Sequence, residues 1–274
     1  MKQLIYFFAT CLVLLIVNCQ LLTVNCYSQS LQLVKTIPVK SPDKVSVDRY
    51  NNIFVCDGDG NVNKYDTTGN LTLTYSPQKI GSISLIEAWN SVKIFLFYKD
   101  FQEYVMLDRF LAPISIYNFD LSSIGFARTA TLAADNNLWI IDDSDFSLKK
   151  HDIQLQTITI ETPLDLLLDA RDYDINFMRE YQNMLFINDY NSGIFVFDNL
   201  GNYKKKLPFT RLESFGFLNE ELYYLEDNKI HLFHLYNFNT RTIQLPEDKI
   251  FINVIVFENQ VYLFSEDYFF IYYQ

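Results

Sequence analysis

One short shape recurs six times between residues 52 and 265, and this repeat constrains the fold more than any other feature. The shape is a turn residue, an apolar and aromatic run, then an acidic or Asn-rich turn. The first three copies are Asn52-Ile53-Phe54-Val55-Cys56-Asp57, Val92-Lys93-Ile94-Phe95-Leu96-Phe97-Tyr98 and Asn137-Leu138-Trp139-Ile140-Ile141-Asp142. The last three are Asn183-Met184-Leu185-Phe186-Ile187-Asn188, Glu221-Leu222-Tyr223-Tyr224-Leu225-Glu226 and Gln260-Val261-Tyr262-Leu263-Phe264-Ser265. With Ile53, Ile94, Leu138, Leu185, Leu222 and Val261 as register marks, the steps are 41, 44, 47, 37 and 39 residues. A period near forty with about four strands per unit is the spacing of a β-propeller.

The units share an inner anatomy. In the first, Lys44–Asp48 reads as strand a and Asn52–Cys56 as strand b. Asp57-Gly58-Asp59-Gly60-Asn61 then turns into strand c, Val62–Asp66. Thr67-Thr68-Gly69-Asn70 turns into strand d, Leu71–Tyr75. Gly, Asn and Asp supply the positive φ and side-chain-to-backbone bonds of tight reversals. The fourth unit repeats this over Met184–Asn188, Ile194–Asp198 and Tyr203–Phe209. The b strands are apolar on both faces, as sheets stacked between two neighbours require. Pro163–Arg171 alone suggests a short helix or a strand. The expected fold is therefore all-β, a six-bladed β-propeller over residues 29–274.

The last unit supplies Ile252–Phe257, Val261–Phe264 and Phe269–Tyr273, and lacks a fourth strand. A spare strand, Leu31–Pro38, precedes the first unit. Pairing it with the last blade would close the ring and cover an aromatic edge. The composition agrees: 49% hydrophobic residues with 24 Phe and 19 Tyr against 8 Gly suit buried pleated strands and exclude a disordered chain.

Met1 and Lys2 are followed by an uncharged apolar run, Leu4–Val17, and then by Cys26-Tyr27-Ser28-Gln29. This describes a secretory signal peptide over residues 1–28, cut after Ser28. Retention as an anchor is the rival, weakened by Asn18, Gln20 and Asn25. Lipidation of Cys19 or Cys26 is a third reading, with Asn standing before each. Cys11, Cys19 and Cys26 lie in this leader, so the remaining chain has Cys56 alone and no internal disulfide. Cys56 sits in a strand run and reads as a small buried apolar residue.

Loss of residues 1–28 removes one Lys and no acid, moving the formal charge from −11 to −12. So acidic a chain excludes sequence-independent nucleic-acid binding and argues against an anionic membrane surface as partner. The expected location is the periplasm or the periplasmic face of the outer membrane.

The first unit, with Asp48, Asn52-Ile53-Phe54-Val55, Asp57, Val62–Tyr65 and Gly69, resembles the NHL and YncE-like class of propeller repeat. It lacks the Arg usual in the NHL turn, and the Trp-Asp and Gly-Gly pairs of WD40 and kelch repeats are absent. A second resemblance rests on Tyr75–Gly81, Glu87–Asn90, Phe97–Tyr104 and Leu107–Leu111. This stretch is similar to exported propellers of Bacteroidota, of the type that forms the periplasmic plug subunit of the type 9 secretion translocon. That resemblance implies a plug docked on an outer-membrane secretion barrel through aromatic and Arg loops, displaced when other partners or substrate bind.

No motif demands a cofactor, a metal or catalysis. Asp57-Gly58-Asp59-Gly60-Asn61 starts like a calcium loop, but Val62 stands where the Gly belongs and Thr68 where the bidentate Glu belongs. It reads as a hairpin turn, as does Asp142-Asp143-Ser144-Asp145. His231 and His234 are three apart on a strand and face opposite sides; with His151 they read as packing or surface residues. Nucleophile elbow, phosphate loop and zinc spacing are missing. The seven Arg after the leader are not accompanied by a sialidase Asp box. The second unit carries the best interaction candidates: Trp89, Tyr98, Asp100, Phe101, Gln102, Arg109 and Phe110, with Arg128 soon after, since Trp, Tyr, Phe and Arg dominate interface hot spots. The bland alternative is that these fill the space between blades, with the arginines as internal partners of Asp100 or Asp108. The expectation is a non-catalytic protein that docks on a protein partner. The rival is a lactonase-like or glycan-processing propeller with several acids or histidines gathered at the central channel.

Overall fold

The structure, a computed structural model, describes residues 31–79, 81–90 and 92–274. The expected leader, residues 1–28, lies outside them. The described residues form six four-stranded antiparallel sheets. The first strand, β1 (Gln32–Pro38), stands apart from the meander that follows. Blade one is β2 (Lys44–Val47), β3 (Ile53–Cys56), β4 (Val62–Tyr65) and β5 (Leu71–Tyr75). Blade two is β6 (Leu85–Glu87), β7 (Lys93–Tyr98), β8 (Glu103–Asp108) and β9 (Pro113–Asn118). Blade three is β10 (Ala127–Leu132), β11 (Leu138–Asp142), β12 (Ser147–Asp152) and β13 (Thr157–Pro163). Blade four is β14 (Ile175–Tyr181), β15 (Met184–Asp189), β16 (Gly193–Asp198) and β17 (Tyr203–Leu207). Blade five is β18 (Gly216–Leu218), β19 (Glu221–Glu226), β20 (Lys229–His234) and β21 (Thr240–Gln244). Blade six is β22 (Asn253–Val256), β23 (Gln260–Phe264) and β24 (Tyr268–Tyr273), completed by β1 on its outer edge. The molecule is a six-bladed β-propeller.

The period-two alternation of each b strand shares its side chains between two blade interfaces. Ile94, Leu96 and Tyr98 pack with Phe54, Cys56 and Val62 of blade one, whereas Phe95 and Phe97 pack with Leu138 and Ile140 of blade three. Trp139 and Ile141 turn instead to Leu185 and Ile187 of blade four. The ring closes the same way: Ile53, Val55 and Tyr65 meet Tyr262, Phe264, Phe269 and Ile271 of blade six. This explains why the b strands lack a polar face.

The closing strand is the one expected. β1 pairs antiparallel with β24 over six residue pairs, from Gln32 with Tyr273 to Pro38 with Tyr268. Ile37 is buried in the cluster joining blades six and one. The first blade's c–d turn, at Gly69 (φ +74°), admits it closely: a Cβ there would lie 2.8 Å from Ile37 Cδ1.

Turn chemistry repeats with the blades. The carboxylate ending strand c accepts two backbone N–H bonds across the c–d turn: Asp66 from Thr68 and Asn70, Asp108 from Phe110 and Ala112, Asp198 from Leu200 and Asn202. Asp152 does the same with Gln154 and Leu155. Blade five has His234 there, and its Nδ1 accepts from Tyr236 N and Asn237 N. Asp57 likewise spends Oδ1 on the amides of Asp59 and Asn61.

Two expectations need correction. Pro163–Arg171 is neither a helix nor a strand. β13 ends at Pro163, and a turn follows in which Leu167 N and Leu168 N donate to Leu164 O. Leu164, Leu167 and Leu168 pack on the cluster between blades three and four, while Leu166 is 91% exposed and Asp169–Arg171 are exposed too, so the apolar contact lasts a single turn and holds neither element. β17 stops at Leu207 rather than Phe209, because Pro208 has no N–H to donate to the ladder.

Candidate functional site

The inner strands surround a central channel of 640 Å³ that opens on the face carrying the b–c turns and the blade-to-blade connections. Its walls come from β2, β6, β14, β18 and β22 together with β19. Blade three contributes no lining because β10 is drawn against its neighbours by buried carboxylates. Glu87 on β6 accepts from Thr131 Oγ1 at 2.6 Å and Leu132 N at 2.9 Å. Glu180 on β14 accepts from Ala134 N and, at 2.6 Å, from the indole N–H of fully buried Trp139. Arg128 fastens the other end of β10, donating through Nε to Ile175 O and pairing with Asp143 and Asp174.

Burial pushes the Glu87 carboxyl up, opposed by the Arg179 guanidinium nearby and by the two donors from blade three. Arg179, also on β14, faces the channel; its Nε is buried without a hydrogen-bond partner. Tyr223 lies across Gly216, where any Cβ would collide with the phenol ring. Phe177 and Phe215 stack edge-to-face at 4.9 Å on the same wall.

The sequence-predicted interaction residues do not form one site. Hairpin alternation sends a–b and c–d turns to one end of a blade and b–c turns to the other. Trp89, Arg109 and Phe110 therefore stand at one end of blade two, and Asp100, Phe101 and Gln102 at the other. Tyr98 is buried between blades one and two. Gln102 ties blade two to blade three, donating to Ala127 O and accepting from Ala127 N. Arg128 is an internal partner of Asp143 and Asp174, stacked 4.8 Å from the Tyr173 ring. Phe110 is 61% exposed, with the Arg109 guanidinium 4.7 Å from its ring centroid.

A neighbouring surface was not singled out from sequence. Strand β9, on the outer rim of blade two, exposes Ile114, Ile116 and Tyr117 and has no charged residue. Its signal was the uncharged run Pro113–Asn118. The channel residues Glu87 and Arg179 were missed too; the signal was charge on inner strands, Glu87 ending the otherwise apolar β6 and Arg179-Glu180 side by side in β14.

Asp142 is buried in blade three. Its burial pushes the pKa up, but Lys149 and the amides of Phe126, Ser144 and Gly125 outweigh this and hold it down at about 2. His151 is buried in β12, His231 stacks on Tyr224 at 5.0 Å and His234 caps its turn. None of the three lines the channel.

Fold and site together define a six-bladed propeller with a central cavity and one apolar rim. No protein-family profile and no curated protein matches the chain. Among solved structures it is similar to a streptogramin B lyase, at 12% identity and TM-score 0.62, over 89% of this chain and 97% of that one. It is also similar to BamB from Moraxella catarrhalis, at 10% identity and TM-score 0.54, over 89% and 98%. The extracellular domain of a putative hybrid two-component system from B. thetaiotaomicron matches at 13% identity and TM-score 0.54, over 83% of this chain and 33% of that one. At these identities the likeness is one of fold.

Proposed function

We propose that this protein is an exported, non-catalytic docking propeller of the cell envelope, which closes the periplasmic mouth of an outer-membrane protein-secretion barrel through the rim of blade two. The observation that carries this reading is the concentration of exposed apolar side chains there. Ile114, Ile116 and Tyr117 lie exposed side by side on β9, and contiguous apolar patches mark interaction surfaces. Strands β1, β13, β17 and β21 protect the outer edge with Lys35, Glu161, Lys204–Lys206 and Arg241, and β5 alternates threonine with its apolar residues. β9, like β5, carries no charge, and it alone of these outer strands exposes two isoleucines and a tyrosine side by side, which leaves an edge suited to a protein partner. The similarity of the second unit to exported plug propellers supports the choice of partner.

A lyase reading is less well supported. A related structure is that of a catalytically inactive histidine-to-alanine variant of virginiamycin B lyase from Staphylococcus aureus with quinupristin, whereas no histidine here lines the channel.

The test is affinity capture of the tagged protein from gently solubilised native envelopes, with mass spectrometry of what co-purifies. Near-stoichiometric recovery of a large outer-membrane barrel is expected, lost in an Ile114→Glu, Ile116→Glu double variant that keeps its thermal stability. Recovery of the propeller alone overturns the proposal.

A further inference from the structure

The central channel plays no part in docking through the rim, yet it has the anatomy of a ligand site. Its 640 Å³ falls within the range of small-molecule pockets, roughly 300–1,000 Å³. The wall mixes polar side chains with aromatic and aliphatic ones, and Phe177, Phe215, Tyr223 and Val254 are among the latter. Of the three cations that line the channel, Lys44, Arg179 and Arg211, Arg179 is the one carried on inner strand β14 beside Phe177. Arg179 and Phe177 are alternate residues of β14 and point the same way.

Arg179 differs from the protein's other well-placed arginines. Arg128 and Arg241 each hold a carboxylate at 2.6–2.8 Å. Arg179 forms no ion pair among the described residues, and its buried Nε has no acceptor. A buried donor left unmade costs about 1–3 kcal/mol, so the guanidinium is set for an acceptor that enters the cavity. Glu87 does not fill that role, because its carboxylate is turned to Thr131 and Leu132 of blade three.

The surrounding charge selects the anion. Asp43, Glu213, Glu226 and Asp227 outnumber Lys44 and Arg211 at the channel mouth. A dianion such as phosphate meets this excess twice over, while a monoanion meets it once. A carboxylate also matches the flat guanidinium fork in a bidentate pair.

We infer that the channel binds a small organic monocarboxylate with an apolar or aromatic body, its carboxylate on Arg179 and its body against Phe177, Phe215 and Tyr223. The inference is independent of the docking role.

The test uses 3-phenylpropionate as probe, titrated into the protein from residue 29 onward and followed by calorimetry and by the Arg179 Nε–H resonance. Saturable binding with a Kd of about 1 mM or tighter is expected. So are a shift of that resonance and at least a tenfold loss of affinity in Arg179→Met. Phenethylamine, which has the same ring with a cation, should not compete. Absence of saturation, an unmoved Arg179 resonance in the wild-type protein, or equal binding of inorganic phosphate overturns the inference. The resonance is read on the unaltered protein, so the test stands even if the variant folds poorly.

Discussion

Replacing Ile37 by Ala removes three carbons from the seam where the two ends of the chain meet. Ile37 is 6% exposed and packs with Val55, Tyr65, Tyr262, Phe264, Phe269 and Ile271, so it touches blades one and six at once. Truncating a buried Ile to Ala costs about 2–5 kcal/mol through lost transfer energy and the cavity left behind. The backbone on both sides is held by ladders, β1 on β24 and β4 on β5, which limits collapse into the hole. A loss of about 3 kcal/mol follows, lowering the melting temperature by about 6–12 °C for a domain of this size. Val34, on the same strand but 52% exposed, is the control: Val34→Ala should stay within about 0.5 kcal/mol. Thermal and urea unfolding of the three proteins, monitored by circular dichroism, make the comparison. If Ile37→Ala unfolds together with the control, the N-terminal strand does not lock the ring and the closure argument fails.

Three further outcomes are expected. Lys149→Met leaves Asp142 buried beside three backbone donors but without its ion pair (2.8 Å), and urea titration should show a loss of about 3 kcal/mol. Because Asp142 titrates at about 2 when folded and at about 3.9 when unfolded, its stabilisation is complete above about pH 4 and is lost as pH falls through about 2; this acid dependence should shrink in the variant. Glu180→Leu strands the indole N–H of Trp139, which should cost about 1–3 kcal/mol in urea titration and change the near-UV dichroism of the folded protein. Burial pushes the Cys56 thiol well up, so a thiol reagent should label the protein from residue 29 onward only after unfolding.

The repeat made the blades legible because each b strand is sandwiched between two sheets, and that demand writes an unbroken apolar run such as Ile94–Tyr98 into every unit. Closure was legible for a related reason. Blade six lacks an outer strand, and Tyr268–Tyr273 is too aromatic to leave uncovered. Candidate sites were much less readable. Trp89 and Phe101 are close in sequence but belong to opposite ends of one sheet, and only strand direction separates them. Arg128 looked like a surface hot spot, whereas its partners Asp143 and Asp174 come from a turn and a connection whose approach no local pattern records. Arg179 stands beside Glu180 in sequence, yet one faces the channel and the other bonds Trp139. That difference depends on where blade three sits.

The docking claim is tested most directly by placing a photo-crosslinking residue at position 116 in living cells, with position 203 on the outer strand of blade four as the comparison. Tyr203 is also exposed, but its strand carries Lys204, Lys205 and Lys206. The account predicts a single adduct with a large outer-membrane barrel from position 116 and none from position 203. No adduct at 116, or the same adducts from both positions, would contradict it.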